Sequence, residues 1–186
     1  KKIGLEDYGK PGNYVARQVS RWSKQYRASE TDDIEAMNNL IEWLPKNIPD
    51  DDETTIVHGD YRLDNMILRN NEVIGILDWE LSTLGHPIAD FSYHCLSWRT
   101  QEAFWDEAKL KELGIPSEKE YMEMYCKYSG KDLSKNWEFY MAFNMFKIAG
   151  ILQGILGRVR DGTAASKHAE ERGNMVFPLS EAAWST

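Results

Sequence analysis

The stretch HGDYRLDN at residues 58–65, together with ILDWE at residues 76–80, decides the fold of this chain. The first segment contains Asp60 and Asn65, and the second contains Asp78. Carboxylate and amide oxygens are ligands that Mg²⁺ prefers, and a carboxylate can also accept a hydrogen bond from a hydroxyl group. The two segments therefore indicate a site that places a hydroxyl group against a magnesium-bound phosphate.

A β-hairpin would bring these two segments together. Short apolar runs flank the turn-forming stretch RNNE at residues 69–72, which is the pattern of two antiparallel strands joined by a tight turn. With the turn centred on the two asparagines, pairing places Asn65 opposite about Ile76, so Asp78 emerges beside Asn65 at the open end. The spacing alone therefore brings two oxygen ligands together.

Asp60 is the candidate for accepting a proton from the substrate. It lies in a loop that follows the short run TTIV at residues 54–57. An aspartate with an ordinary pKa of about 4 is too weak to ionise an alcohol, but a loose phosphoryl-transfer transition state requires mainly positioning and late proton acceptance. The alternative is that the loop is a simple turn and Asp78 an ordinary carboxylate at a strand end. The occurrence of both segments at this spacing favours the site.

Three motifs give the chain its resemblance to a known family. H-G-D-x-x-x-x-N matches residues 58–65, I-x-D-W-E matches residues 76–80, and G-x-P-x-x-D matches residues 85–90. These patterns are similar to those of the aminoglycoside phosphotransferase and choline kinase superfamily, which has a protein-kinase-like fold. Many members have Asp at the position of His86. The resemblance implies an enzyme that uses Mg²⁺ and transfers the γ-phosphoryl group of ATP to a hydroxyl group of a small molecule.

The resemblance also implies roles for individual residues. Asp60 would be the catalytic base, and Asn65 and Asp78 would bind the metal. Asp90 would brace the catalytic loop from a neighbouring helix. From its residue type, His58 is expected to support the same loop through hydrogen bonds, and a proton shuttle is the alternative.

Two further residues are candidates for contacts with the substrate. Arg62 could bind a phosphate or carboxylate of the substrate, and an exposed salt bridge is an equally good interpretation. Glu80 could contact the substrate or orient the metal shell, and capping of the hairpin is the alternative.

A narrower resemblance covers most of the chain. DYGKPGNY at residues 7–14, followed by Arg17, Gln18 and Trp22, is similar to the phosphotransferase-type domain related to that attached to some acyl-CoA dehydrogenases. The resemblance implies a small hydroxylated metabolite, such as a hydroxyacyl thioester, rather than an antibiotic as substrate. It also implies an amino-terminal lobe or a fused acyl-CoA dehydrogenase domain elsewhere in the parent protein.

Composition argues against several classes of partner. The chain has 186 residues, 42% of them hydrophobic, and we expect a single domain over residues 1–186. Its 22 basic and 30 acidic residues give a formal charge of −8, which argues against nucleic acid as a partner.

The most apolar run, residues 148–156, contains Gln153 and is far shorter than the ~20 residues that span a bilayer, so we expect no membrane partner. Cys95 and Cys126 lie outside any C-x-x-C pattern, which favours reduced thiols and an intracellular, cytoplasmic location.

The expected fold class is α+β: a protein-kinase-like carboxy-terminal lobe, mainly helical, in which a small β-hairpin carries the catalytic and metal residues. Nothing before Glu30 supplies the five strands of a nucleotide-binding lobe, and G-x-G-x-x-G does not occur. We therefore expect that the amino-terminal lobe is absent from this chain and that the chain alone is inactive. Apolar periodicity and cap residues predict helices at residues 14–26, 29–44, 87–98, 101–113, 117–130 and 136–160.

Two other classes of function compete with the phosphotransferase. His86, Asp90 and His94 recur every four residues, so a continuous helix would present them on one face, as in a metal-dependent hydrolase. Pro87 opposes this hypothesis because it favours a helix that starts after His86. The second alternative is a non-catalytic, kinase-like interaction module, which the missing nucleotide lobe would explain.

Overall fold

The computed structural model describes residues 4–5, 7–51, 53–100 and 107–186. Within these ranges the strands are β1 (Thr55–Val57), β2 (Met66–Arg69), β3 (Glu72–Ile76) and β4 (Thr83–Gly85). The helices are α1 (Tyr14–Ser29), α2 (Glu35–Trp43), α3 (Pro87–His94), α4 (Ser97–Thr100), α5 (Glu107–Glu112), α6 (Glu118–Ser129), α7 (Trp137–Arg160), α8 (Ala169–Gly173) and α9 (Val176–Ser185). The chain is therefore the mainly helical α+β carboxy-terminal lobe that its sequence predicts.

The long helix α7 forms the centre of the hydrophobic core, as its apolar pattern predicts. It contacts α1, α3, α8 and α9, and its middle is buried on all faces, with Tyr140, Met141, Met145 and Phe146 fully inaccessible. By length and composition α7 could cross a membrane, but 67% of its most apolar window is buried inside the protein. Such burial is expected of a core helix.

The crossing of α7 over α1 explains two residues that interrupt the apolar run of α7. A Cβ atom at Gly157 would approach Ser29 atoms to 3.1 and 3.2 Å, so any larger residue there would press against the end of α1. Gln153 is fully buried, and its Nε2 donates to the Ser29 carbonyl at 2.7 Å and to Thr31 Oγ1 at 3.0 Å. Its amide therefore caps a carbonyl at the end of α1 that would otherwise lack a helical partner.

Strands β2 and β3 form the predicted hairpin. Asn70 and Asn71 occupy the turn with φ angles of 50° and 63°, the left-handed conformation that a two-residue type I′ turn requires. The pairing register shifts by one residue between Ile67 and Leu68. As a result, Leu77 rather than Ile76 lies opposite Asn65.

The second strand pair, β1 with β4, was not predicted. The two strands are antiparallel, with Thr55 opposite Gly85 and Val57 opposite Thr83. This pairing returns the chain from the hairpin to the start of the 58–65 loop. It therefore places the first turn of α3 beside that loop.

The predicted helix at 29–44 was wrong at its start. Helix α1 continues to Ser29, and α2 begins at Glu35 with Ile34 at its N-cap. Asp33, a residue type that favours the N-cap position, accepts a hydrogen bond from Asn38 Nδ2 at 2.6 Å instead. A short loop therefore replaces the predicted first turn.

The remaining boundaries follow the sequence more closely. Ser117 begins α6 with a capping box, because its Oγ accepts from the Glu120 amide at 3.3 Å and its own amide donates to the Glu120 carboxylate at 2.8 Å. The helix predicted at 87–98 is divided into α3 and α4. In the helix predicted at 101–113, residues 101–106 lie outside the described residues, and α5 occupies the remainder.

Helices α8 and α9 were missed in the sequence analysis. Val176, Leu179 and Ala183 are buried at spacings of three and four residues, which is a helical pattern. Pro178 lies in the first turn of α9, where the missing amide hydrogen costs little. Both helices pack against α7, and α9 also packs against α2, so they close one side of the core.

Replacing Phe146 by alanine tests the central role of α7. Phe146 is fully buried, so Phe146→Ala is expected to lower the free energy of unfolding of the chain by about 3–5 kcal/mol. Urea denaturation followed by circular dichroism measures this loss. The control is Tyr128→Ala, since Tyr128 is 80% exposed; equal losses in the two variants would contradict a core centred on α7.

Candidate active site

Asp90 fixes the 58–65 loop, which we call the HGD loop, to the start of α3. The backbone amide of His58 donates to Asp90 Oδ2 at 2.7 Å, and that of Gly59 donates to Asp90 Oδ1 at 2.8 Å. Gly59 has a φ of 86°, a conformation that a side chain would disfavour. The two amides therefore point to one carboxylate, and the chain then turns toward Asp60.

His58 joins the HGD loop to the end of the hairpin. The ring is buried, with its Nε2 at 2.8 Å from the Leu77 carbonyl and its Nδ1 at 3.3 Å from the Asp60 amide. Because a carbonyl only accepts and an amide only donates, the arrangement fits a neutral ring with its proton on Nε2. The ring thus fixes the distance between the loop and the residue that precedes Asp78.

The carboxylate of Asp60 accepts hydrogen bonds on both oxygens. Tyr93 donates its hydroxyl to Oδ1 at 2.8 Å, and Asn65 Nδ2 donates to Oδ2 at 3.0 Å. Arg62 Nε lies 3.3 Å from the same Oδ2. Burial raises the pKa of Asp60, but the hydrogen bonds and the nearby cations Arg62 and Lys147 outweigh it and lower the pKa below its ordinary value. Asp60 is therefore an ionised and well-oriented acceptor at neutral pH.

Asn65 and Asp78 lie at the same end of the hairpin. The Leu77 amide donates to the Asn65 carbonyl at 2.8 Å, and Asp78 is the next residue. Asn65 Nδ2 also donates to the Asp60 carbonyl at 2.9 Å, so the amide oxygen of Asn65 lies on the side away from Asp60. Asp78 is exposed and left-handed, with a φ of 64°, and this turn carries its carboxylate off the strand direction.

Arg62 and Glu80, the other two predicted site residues, occupy different positions. Arg62 is half exposed and contacts Asp60 and Asp64. Glu80 is exposed in the short 3₁₀ helix of residues 79–81. Among the described contacts the structure therefore brings Arg62, but not Glu80, to the Asp60 carboxylate.

The three residues of the hydrolase hypothesis do not converge. His86 precedes α3 and is buried, with its Nε2 at 3.2 Å from the Tyr140 hydroxyl and 3.5 Å from Asp51; burial lowers the pKa of the His86 ring, which Asp51 opposes. His94 Nε2 lies 3.1 Å from the Tyr121 hydroxyl, while Asp90 faces the HGD loop. Because Pro87 starts the helix, the expected common face does not form. Across the described ranges, no group of three or more His, Cys, Asp or Glu side chains is arranged to hold a metal ion.

Two residues beside Asp60 were missed in the sequence analysis. Tyr93 lies one turn after Asp90 on α3, and this i, i+3 spacing was the available signal. Lys147 is the one charged residue between Glu138 and Arg158 of the apolar α7. Its Nζ lies 3.4 Å from the Gly59 carbonyl and 4.6 Å from the centre of the Tyr93 ring.

A cavity of about 620 Å³ lies beside Tyr93 and Arg62. Its walls are mainly apolar and come from α3, α4, α7 and α9, including Leu96, Ile148, Leu152 and Leu179. Among the described lining residues, the cations Arg62, Arg99 and Arg172 outnumber the single carboxylate Asp64. Arg99 pairs with Glu118 and Glu138. Arg62 likewise contacts Asp60 and Asp64, so the cavity combines an apolar body with largely paired charges at its edge.

Comparisons with known proteins agree with this geometry. A model described as the phosphotransferase enzyme family matches residues 1–125. A crystal structure from Ralstonia eutropha JMP134, described as a candidate aminoglycoside phosphotransferase, superposes with a TM-score of 0.91 and 51% identity, covering 99% of this chain and 58% of that one.

Curated relatives are much longer than the chain. Acyl-CoA dehydrogenase family member 10 of Mus musculus is 46% identical over 97% of this chain and 18% of its own length. Member 11 of Homo sapiens is 42% identical over 96% and 24%. The probable acyl-CoA dehydrogenase IBR3 of Arabidopsis thaliana is 41% identical over 97% and 24%. The chain thus spans a quarter or less of these relatives.

Replacing Asp90 by asparagine tests the anchor of the HGD loop. An asparagine retains one acceptor oxygen but turns an amide donor toward a backbone amide, so one hydrogen bond is lost and one donor is unsatisfied. Asp90→Asn is expected to lower the free energy of unfolding by about 1–3 kcal/mol and to speed hydrogen exchange at the amides of His58 and Gly59. The matched control, Asp64→Asn, changes a carboxylate that is 77% exposed; unchanged exchange at Gly59 in Asp90→Asn would contradict the anchor.

Proposed function

The chain belongs to the phosphotransferase enzyme family, and from this premise we propose that it supplies the base and metal ligands of an ATP- and magnesium-dependent kinase for small-molecule hydroxyl groups. The observation that best supports this proposal is the Asp60 carboxylate, which is ionised, oriented by Tyr93 and Asn65, and adjacent to an apolar cavity.

In the proposed reaction, Asp60 orients the hydroxyl group of the substrate and receives the proton of that group. The acceptor hydroxyl donates a hydrogen bond to Asp60, and its oxygen forms a bond to the γ-phosphorus of ATP. The bond from that phosphorus to the bridging oxygen breaks, and ADP leaves with the electron pair. The hydroxyl proton passes to Asp60 late in the transfer and then to solvent, which a weak base can accomplish.

Asn65 and Asp78 fit the proposed magnesium site by their chemistry. The nitrogen of the Asn65 amide is bonded to Asp60, which directs the amide oxygen to the opposite side, and the Asp78 carboxylate is exposed at the adjacent turn. Mg²⁺ keeps several waters and commonly takes only one or two protein oxygens together with substrate phosphates. When bound, the ion would supply positive charge that neutralises the transferring phosphoryl group. His58 and Asp90 are assigned supporting roles because they hold the loop.

The cavity beside Tyr93 is the proposed acceptor pocket. Its apolar walls suit an acyl chain, and Arg172 at its edge suits an anionic group of the substrate. These features support a hydroxyacyl thioester as the acceptor, with Arg62 as a candidate contact to it. Glu80, at the hairpin end, is a candidate for orienting the ligands around the metal ion.

The proposal concerns a longer protein rather than the chain alone. The matched relatives are acyl-CoA dehydrogenase family members, and we propose a parent protein that joins this lobe to a nucleotide-binding lobe and a dehydrogenase domain in the cytoplasm. One observation favours the alternative of a non-catalytic, kinase-like interaction module. Within the described residues no strand precedes β1, so the grip on ATP must come from residues beyond those described.

Replacing Asp60 and Asp78 separates the two proposed roles. In the full-length protein, Asp60→Asn is expected to lower the turnover number by about 10²- to 10⁴-fold while the affinity for magnesium-ATP stays close to normal. Asp78→Ala is expected to weaken magnesium-ATP binding instead. ADP release with a panel of hydroxyacyl thioesters and aminoglycosides measures both effects and identifies the acceptor.

Asp161→Asn serves as the control for this pair, because Asp161 contacts Arg160 from an exposed position at the end of α7, outside the cavity lining. The variant should turn over at nearly the normal rate. Near-normal turnover of Asp60→Asn would overturn the assignment of the base, and ADP release that no acceptor stimulates would overturn the proposed kinase.

The isolated chain is expected to fold but to bind magnesium-ATP weakly and to transfer no phosphoryl group. Phosphoryl transfer depends on positioning, and the described residues supply the proposed base and metal ligands while the lysine and loop that grip the phosphates are not found among them. Calorimetric titration with magnesium-ATP and an ADP-release assay on the chain measure this. Stoichiometric, tight binding with turnover would show that the described residues form a complete site.

A further inference from the structure

We propose that Tyr93 is a positioning residue for Asp60 and that Lys147 holds both Tyr93 and the HGD loop in place. This inference rests on the proposed function, in which Asp60 is the base. Neither residue belongs to the H-G-D, D-W-E or G-x-P-x-x-D patterns of the sequence. Both are identified by their contacts around the Asp60 carboxylate.

Tyr93 determines which oxygen of Asp60 remains able to accept the substrate. Oδ2 already faces the Asn65 amide at 3.0 Å and Arg62 Nε at 3.3 Å, whereas Oδ1 faces only the Tyr93 hydroxyl at 2.8 Å among the described contacts. A carboxylate oxygen can accept two hydrogen bonds. The second acceptor position of Oδ1 is therefore the one suited to the acceptor hydroxyl, and it lies beside the residue that lines the cavity.

The hydroxyl group of Tyr93 makes a hydrogen bond that packing of the ring does not require. The ring lines the cavity wall, and a phenylalanine would fill the same space without the contact to Asp60. Burial and then the hydrogen bond to Asp60 raise the pKa of Tyr93, so the hydroxyl stays protonated and remains a donor. Tyr93 thus holds the carboxylate in one rotation and favours its ionised form.

Lys147 secures this arrangement from the core helix. Its ammonium group lies 4.6 Å from the centre of the Tyr93 ring, within the range of a cation–π contact, and 3.4 Å from the Gly59 carbonyl. Burial lowers the pKa of Lys147, and the carboxylates of Asp90 and Asp60 oppose that effect. The backbone of Gly59 is therefore held on both sides. Asp90 accepts a hydrogen bond from its N–H group, and Lys147 donates one to its carbonyl group.

The test compares Tyr93→Phe with Tyr125→Phe, which removes the same hydroxyl from a ring stacked on Phe91 at 3.8 Å. Carbon-13 labelling of aspartate carboxyl groups allows the Asp60 titration to be followed by NMR in the chain itself, without turnover. Tyr93→Phe should move the Asp60 midpoint to higher pH, because a hydrogen bond to the ionised form is lost. Tyr125→Phe should leave the midpoint in place. An unchanged Asp60 midpoint in Tyr93→Phe would overturn the inference.

Kinetics of the full-length protein supply the second readout. Tyr93→Phe should lower kcat by roughly tenfold, with the KM for magnesium-ATP unchanged, and should shift the acid limb of the pH profile upward. Lys147→Met should reduce kcat as well, and Lys147→Arg should restore part of it because the cation is kept. A normal acid limb in Tyr93→Phe, or a Lys147→Arg variant no better than Lys147→Met, would overturn the corresponding part of the inference.

These measurements separate the inference from the proposed function. The NMR titration depends on the contact between Tyr93 and Asp60 and not on any reaction. Failure of the unmodified full-length protein to release ADP with any acceptor would count against the kinase alone. Failure of the titration to respond would count against Tyr93 even in an active kinase.

Discussion

The candidate site depends on the two hydrogen bonds that Asp90 accepts from the backbone amides of His58 and Gly59. These bonds involve main-chain donors, so they fix the path of the loop rather than the rotamer of a side chain. Without the carboxylate, two partly buried amides would lose their partners, which costs free energy comparable to a lost hydrogen bond each. Because Asp90 lies in the first turn of α3, the loop takes its position from the helical core.

Much of this arrangement could be predicted from the sequence because it is local. The asparagines of the turn, the apolar runs beside them and the motif spacing together determine that Asn65 and Asp78 lie at the same end of the hairpin. The single-residue register shift in the hairpin could not be predicted, because nothing in the apolar runs distinguishes the two pairings. The start of α2 was misjudged for a similar reason: Asp33 is a good cap by type, but its side chain finds Asn38 instead.

The residues that sequence reasoning missed are those whose partners are distant in the chain. Lys147 lies 88 positions from Gly59. In the sequence it is a single charged residue within an apolar helix, and only the fold shows that it lies near the carboxylates of Asp90 and Asp60. Gln153 interrupts the same helix for a different reason, since its amide caps α1. One helix therefore supplies the apolar core, a cap for its neighbour and a cation at the site, and its polar positions are the points of contact with other elements.

The antiparallel pairing of β1 with β4 has a consequence for the order in which the protein folds. The segment from Thr55 to His94 closes on itself through that pairing and through the contacts of Asp90. The Asp90 contact to Gly59 joins residues 31 positions apart, against 88 for the contact of Lys147 to Gly59. Closing a shorter stretch of chain costs less chain entropy. We therefore expect this segment to become ordered at a smaller entropic cost, and earlier, than the contact between the loop and Lys147 of α7.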